Sequence, residues 1–128
     1  MIEIKKQLQK SVELFPNVTE CKSSLVPIQD ALYVLGGKWR IPIMVAMLEG
    51  YKHFGEIKRT INKISAKVLS HELKELELNG FVIRRVFDTK PVVIEYELTE
   101  YANSLDTVIV ALREWGLLHR EKVKTEWN

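Results

Sequence analysis

Residues 65–79 carry Ser65, Ala66, Lys67, Ser70, His71 and Lys74 interleaved with Leu69, Leu73 and Leu76. On a helix turning about 100° per residue, with Lys67 at zero, His71 falls at about 40°, Lys74 at about 340° and Ser70 at about 300°. The three leucines fall at about 200°, about 240° and about 180°. One side is a leucine seam, and the other presents cations, an imidazole and hydroxyls, with Ser65 and Ala66 at the N-terminal tip. An element that enters the major groove of DNA needs this division: a rigid apolar back and a front of small or donor-bearing side chains. Glu72, Glu75 and Glu77 fall mostly to the sides or toward the C-terminal end. Periodicity alone favours an ordinary amphipathic helix with a solvated face, so the neighbouring residues decide.

Those neighbours are basic. Lys58, Arg59 and Lys63 precede the helix, and Arg84, Arg85 and Lys90 follow it on strand-like runs. From Lys52 to Lys90 there are nine Lys and Arg against five Asp and Glu, a net of +4, although the whole chain carries only +2. Cations beside the helix suit contacts to phosphate, and cations on a hairpin suit phosphate or the minor groove. The competing role for Arg84, Arg85 and Lys90 is protection of a strand edge against aggregation.

Other chemistries find little support. His53, His71 and His119 do not form a metal-binding spacing or a triad with Cys21, the one cysteine. Gly36-Gly37 is too short for a phosphate loop and reads as a helix cap. Trp39 and Trp115 could line a small-molecule pocket, with core packing the competing role. No catalytic residue, metal or cofactor is expected.

The elements that must position the basic helix can be read from spacing. Ile4, Leu8, Val12 and Phe15 form a helical stripe that Pro16-Asn17 ends. Residues 17–26 are polar and irregular and predict a linker. Pro27 suits the first turn of the next helix, which Gly36-Gly37 stops. The apolar run Ile41 to Leu48 predicts a central, buried helix. Phe54, Ile57 and Ile61 give a short helix its inner face, and Asn62-Lys63 turns the chain. Ser65 caps the basic helix, which runs to about Leu78 before Asn79-Gly80. Phe81 to Phe87 and Val92 to Leu98 predict a hairpin around a turn at residues 88–91. Thr99-Glu100 opens a final helix with Leu105, Val108, Ile109, Leu112, Trp115 and Leu118 on its stripe.

Two short helices joined by a tight turn and followed by a hairpin describe a winged helix-turn-helix, mainly α with a small β-hairpin wing. A length of 128 residues with 46% hydrophobic and 28% charged side chains fits one globular domain. No apolar run approaches a membrane span, and the start, MIEIKKQLQK, lacks the apolar core of a signal peptide. A cytoplasmic location without membrane association is expected.

In order along the chain, these residues resemble the HxlR family of winged-helix regulators, related to the MarR group. Residues 27–32, PIQDAL, and Leu35-Gly-Gly-Lys-Trp39 are similar to its opening signature, and Phe54-Gly-Glu56-Ile57 to its F-x-E-L helix start. Ile64-Ser65, Leu69-Ser70 and residues 73–77, LKELE, resemble its recognition helix. Gly80 to Arg84 resembles G-L-V-x-R, and Pro91 with residues 94–100, IEYELTE, resembles P-x-x-V-E-Y-x-L-T-E; Glu114-Trp115-Gly116 closes the pattern.

The resemblance implies a winged helix with terminal dimerisation helices and transcription control, usually repression, at a pseudo-palindromic operator. It carries Ser65, Lys67, Ser70, His71 and Lys74 over as the groove-facing set and Arg84 as a wing anchor. It also marks departures. The family's cysteine before the proline at Pro27, a redox sensor in some members, is Val26 here, with Cys21 five residues earlier. The basic residue before V-E-Y is Val93, and a glycine after L-T-E-x is Ala102.

The expectation is a homodimer that binds double-stranded DNA through Lys58, Arg59, Lys63, Ser65, Ala66, Lys67, Ser70, His71, Lys74, Arg84, Arg85 and Lys90. Residues 1–26 would form an N-terminal helix and linker in the dimer interface, and residues 27–122 the winged-helix domain with its C-terminal dimerisation helix. Two alternatives are a winged-helix module for protein interaction without DNA binding, and a sensor gated by a small-molecule effector or by Cys21. The charged recognition face disfavours the first, because an interaction surface would be more apolar.

Overall fold

The computed structural model describes residues 18–127, with side-chain surroundings from Ser23 onward. The stripe at residues 4–15 lies outside the described residues, as do the surroundings of the Cys21 side chain. The chain divides into two compact units, the first ending at Gly37 and the second beginning at Lys38.

The first unit contains helix α1, Val18–Leu35. Residues 18–26, expected as a linker, are helical, and the boundary expected between residues 26 and 27 falls inside α1. Pro27 stands in the helix interior rather than in its first turn. A proline there removes one helical hydrogen bond and crowds the carbonyl four residues earlier, at a cost of about 3 kcal/mol or more. Polar composition hid this helix: Thr19, Glu20, Lys22, Ser23 and Ser24 show no apolar period, yet none of them forbids a helix. The helix stops where expected. A Cβ on Gly36 would sit 2.2 Å from the Leu32 carbonyl oxygen, and Gly37 has a φ of +92°.

The second unit begins with α2, Arg40–Leu48, then α3, Phe54–Thr60, and α4, Ala66–Leu78. A two-stranded antiparallel sheet follows, β1 Val82–Phe87 and β2 Val93–Leu98. A 3-10 turn at Glu100–Leu105 leads into α5, Asp106–Glu126. The expected single helix after Thr99 is thus divided. Thr99 does cap it, accepting from the Ala102 amide, but the Ser104 hydroxyl bonds the Tyr101 carbonyl at 2.7 Å. Such local side-chain bonds compete with the helical ladder and hold its first turns in tighter geometry.

The core forms where α2 packs on α3, α4 and β2. Ile43, Met44, Ala46 and Met47 of α2, Ile57, Ile61, Ile64, the leucine seam Leu69, Leu73 and Leu76, and Phe81, Val82 and Leu105 are its buried side chains. Each large one adds roughly 1.5–3 kcal/mol of apolar burial, so this cluster holds the unit together. Helix α2 is not buried all round, because Val45 and Leu48 are exposed. Trp115 is also no core residue: it is 50% exposed and stacks on His119 at 5.0 Å.

Candidate nucleic-acid interface

Helix α4 is aimed by its two ends and its back. At the start, the Ser65 hydroxyl oxygen accepts from the Val68 amide at 3.1 Å, satisfying one of the amides a helix leaves unpaired. The preceding turn needs a left-handed residue, and Lys63 supplies it with a φ of +73°. At the end, the Phe81 amide bonds the Leu76 carbonyl and Gly80 takes a φ of +84°, the geometry that closes a helix and turns the chain into β1. Behind it, the leucines are at most 1% exposed. On one flank the Arg40 guanidinium donates to Glu72 at 2.8 Å, which ties α4 to α2 and uses a carboxylate that would otherwise oppose an anion.

The hairpin register sets the other half. Val82 pairs with Leu98, Arg84 with Tyr96 and Val86 with Ile94, and these share one face; Ile83, Arg85 and Phe87 share the other with Glu97, Glu95 and Val93. The first face meets α4: Ser70, Lys74, Glu77, Leu78, Arg84 and Tyr96 line one cleft of about 310 Å³. On the second face the Arg85 guanidinium donates to Glu97 at 2.9 Å.

The hairpin base is held by the Tyr96 amide donating to the Lys52 carbonyl at 2.8 Å and by the Thr99 hydroxyl donating to the Gly80 carbonyl at 2.6 Å. Glu95 lies 3.5 Å from both Lys52 Nζ and His53 Nε2, and the other imidazole nitrogen bonds Glu56. That hydrogen bond is the main cause holding the Glu56 carboxyl below its ordinary value; partial burial opposes it and Arg59 adds to it.

Lys58, Arg59, Lys63, Ser65, Ala66, Lys67, Ser70, His71, Lys74, Arg84, Arg85 and Lys90 are all exposed. They do not form one set. Ser70, Lys74 and Arg84 share the cleft, while Lys67 and His71 lie outside its lining. Arg85 is separated from Arg84 by the strand pleat and engaged by Glu97, and Lys90 sits in the hairpin turn. Among the described residues Lys58, Arg59, Lys63, Lys67, Lys74, Arg84 and Lys90 form no ion pair, whereas Arg40, Lys52, Arg85 and Lys122 do. Tyr96 is a cleft residue that the sequence does not single out. Its place opposite Arg84 depends on strand register, which a turn at residues 88–91 leaves open until both strand ends are known. No group of metal-ligating side chains occurs among the described residues.

Comparison with known proteins agrees with this architecture. The family model described as HxlR-like helix-turn-helix matches residues 34–124. The HTH-type transcriptional regulator YybR of Bacillus subtilis (strain 168) is 31% identical over 118 residues, covering 92% of this chain and 90% of its own. The solved structure of the redox regulator HypR in its reduced form matches with a TM-score of 0.68 and 34% identity, over 77% of this chain and 98% of that one. The reduced form of the transcriptional regulator YodB from B. subtilis matches with a TM-score of 0.61 and 40% identity, over 70% and 87%. With the helix-turn-helix, the hairpin and the basic face in place, the chain belongs to the HxlR-like helix-turn-helix family, whose members are DNA-binding transcriptional regulators rather than enzymes.

Proposed function

We propose that the protein is a cytoplasmic repressor that binds a pseudo-palindromic operator as a homodimer, with α4 in the major groove and the hairpin as its wing. The observation that carries this reading is a set of unpaired cations flanking α4, a helix with a capped start and a fully buried leucine back. Among the described residues, Lys58, Lys63, Lys67, Lys74 and Arg84 form no ion pair, and the nearby Glu72 is taken by Arg40. A face that keeps its cations free is suited to phosphates and to the release of their counterions. His71 and Lys67, outside the cleft, are the residues that reach base edges.

The dimer is supported by α5. None of its residues is buried, although Val108, Leu112, Trp115 and Leu118 recur along one stripe and are each 38–50% exposed. Pairing this stripe with a second copy across a two-fold axis would cover it and place two recognition helices for two half-sites. Among the described residues no single helix is long and apolar enough to cross a membrane.

The test is sedimentation at micromolar concentration together with binding to a duplex carrying any inverted repeat found upstream of the gene. A dimer that prefers this duplex to a scrambled one, and loses the preference on His71→Ala, is the expected result. A monomer, or a dimer indifferent to sequence, refutes the reading. A redox-gated version has one observation in its favour: a similar structure is that of a redox regulator. In that version diamide releases the wild-type protein from DNA and leaves Cys21→Ser bound; equal behaviour of the two proteins rules it out.

A further inference from the structure

The cleft between α4 and the hairpin gathers four polar side chains that the chain itself does not use. Ser70 and Lys74 come from the helix, and Arg84 and Tyr96 come from directly paired strand positions. Among the described residues none of the four has a side-chain hydrogen bond or an ion pair, while Arg85 on the opposite hairpin face is held by Glu97. Leu78 supplies an apolar part of the wall, and Glu77 adds one carboxylate, also without an ion pair.

The donor chemistry narrows the ligand. Lys and Arg offer only donors, and the two hydroxyls can donate as well, so the partner must be rich in acceptors. Two cations against Glu77 leave a local net charge of about +1, which matches a singly charged diester better than a doubly charged monoester. With a volume of about 310 Å³ and an opening to solvent, the cleft admits a group carried on a longer polymer.

We propose that this cleft holds one backbone phosphodiester of duplex DNA, gripped from the helix by Lys74 and from the wing by Arg84. The Tyr96 hydroxyl is its neutral donor, and Glu77 is the residue that limits its affinity. The inference rests on the DNA-binding reading above and deepens it. A phosphate held by both elements fixes the distance between the groove-inserted helix and the wing. It also moves Ser70 and Lys74 from base reading to backbone positioning.

The experiment is anisotropy titration of a labelled random-sequence duplex over a salt series. The variants are Tyr96→Phe, Glu77→Gln and Lys74→Ala, with Lys67→Ala as a cation outside the cleft, each checked for fold by circular dichroism. Tyr96→Phe keeps the ring and removes only a neutral donor, so it should weaken binding about two- to tenfold with the salt slope unchanged. Lys74→Ala should weaken binding and reduce the slope by about one for each phosphate it no longer neutralises. Glu77→Gln should tighten binding. If Tyr96→Phe and Glu77→Gln bind like wild type while Lys67→Ala binds more weakly, the cleft is not a phosphate site and DNA binding still stands. Weaker binding by Glu77→Gln overturns the cleft assignment as well. If the wild-type protein binds no duplex, both readings fall.

Discussion

Arg84 and Arg85 are adjacent and chemically identical, and the fold predicts that they behave differently. The pleat sends them to opposite faces of the hairpin, Arg84 opposite Tyr96 and Arg85 opposite Glu95. Arg85 is paired with Glu97 at 2.9 Å, in an ion pair whose members are both at least half exposed. A pair of that kind is worth about 0.2–1 kcal/mol of stability, and its loss should move little else. Arg84 forms no such pair. If it neutralises a phosphate, Arg84→Ala removes about 0.9 from the salt slope for each phosphate left without its cation. In a symmetric dimer the substitution acts at both half-sites, which makes about 1.8 in all. Over a fourfold salt rise, from about 50 to about 200 mM, the affinity of the variant should then fall by a factor roughly twelvefold smaller than that of wild type. A protein that binds with one protomer would show a difference of only about 3.5-fold, so the size of the effect also reports stoichiometry. Anisotropy titrations on operator-bearing and scrambled duplexes at several salt concentrations measure it. Arg84→Ala should weaken both duplexes alike, and Arg85→Ala should leave the slope near wild type. If Arg85→Ala flattens the slope and Arg84→Ala does not, the wing presents its other face to DNA and the reasoning from register is wrong.

Two further outcomes concern the scaffold. Leu73 is 1% exposed at the centre of the seam that backs α4. Leu73→Ala should cost about 2–5 kcal/mol in urea unfolding, whereas His71→Ala, two positions away and exposed, should stay within about 0.5 kcal/mol of wild type. Equal costs would place the seam elsewhere. The Glu56 carboxyl, lowered chiefly by its hydrogen bond from His53, binds its proton less readily folded than unfolded. Its stabilising contribution is therefore complete above the ordinary glutamate value of about 4.3 and is lost as pH falls through the lower folded value. Glu56→Gln should make the thermal midpoint less sensitive to pH below that point; melting curves from neutral to acid pH that coincide in shape with wild type would show that Glu56 contributes nothing to the acid response.

The split between Arg84 and Arg85 bears on how a winged helix of this kind distributes its charge. Each pairing within the chain, Arg40 with Glu72 or Arg85 with Glu97, joins two elements or strands and neutralises a cation within the chain. Among the described residues, cations without an ion pair remain beside α4 and also on α5, where Arg113, Arg120 and Lys124 have none. Net charge is therefore a poor guide to function here, because the whole chain is close to neutral while one surface keeps unpaired cations.

Much of the scaffold was legible in the sequence because it rests on local rules. A period of 3.6 separated Leu69, Leu73 and Leu76 from Lys67, His71 and Lys74, and Ser65 and Asn79-Gly80 marked the ends of that helix through bonds made within a few residues. Alternating β-branched and aromatic residues on either side of residues 88–91 marked the hairpin for the same reason. Where composition stood in for periodicity, the expectation failed: polar residues 18–26 gave no signal, and α1 runs through them and through Pro27. The division of the basic residues into paired and unpaired was not legible at all. Whether a cation is free or spent depends on a carboxylate brought from elsewhere, Glu97 across the hairpin to Arg85 or Glu72 across the helix pair to Arg40. The meeting of Tyr96 and Arg84 with Lys74 likewise depends on strand register and on how the hairpin lies along α4. Local propensity fixes which side of an element a residue occupies; only packing between elements decides what that side faces.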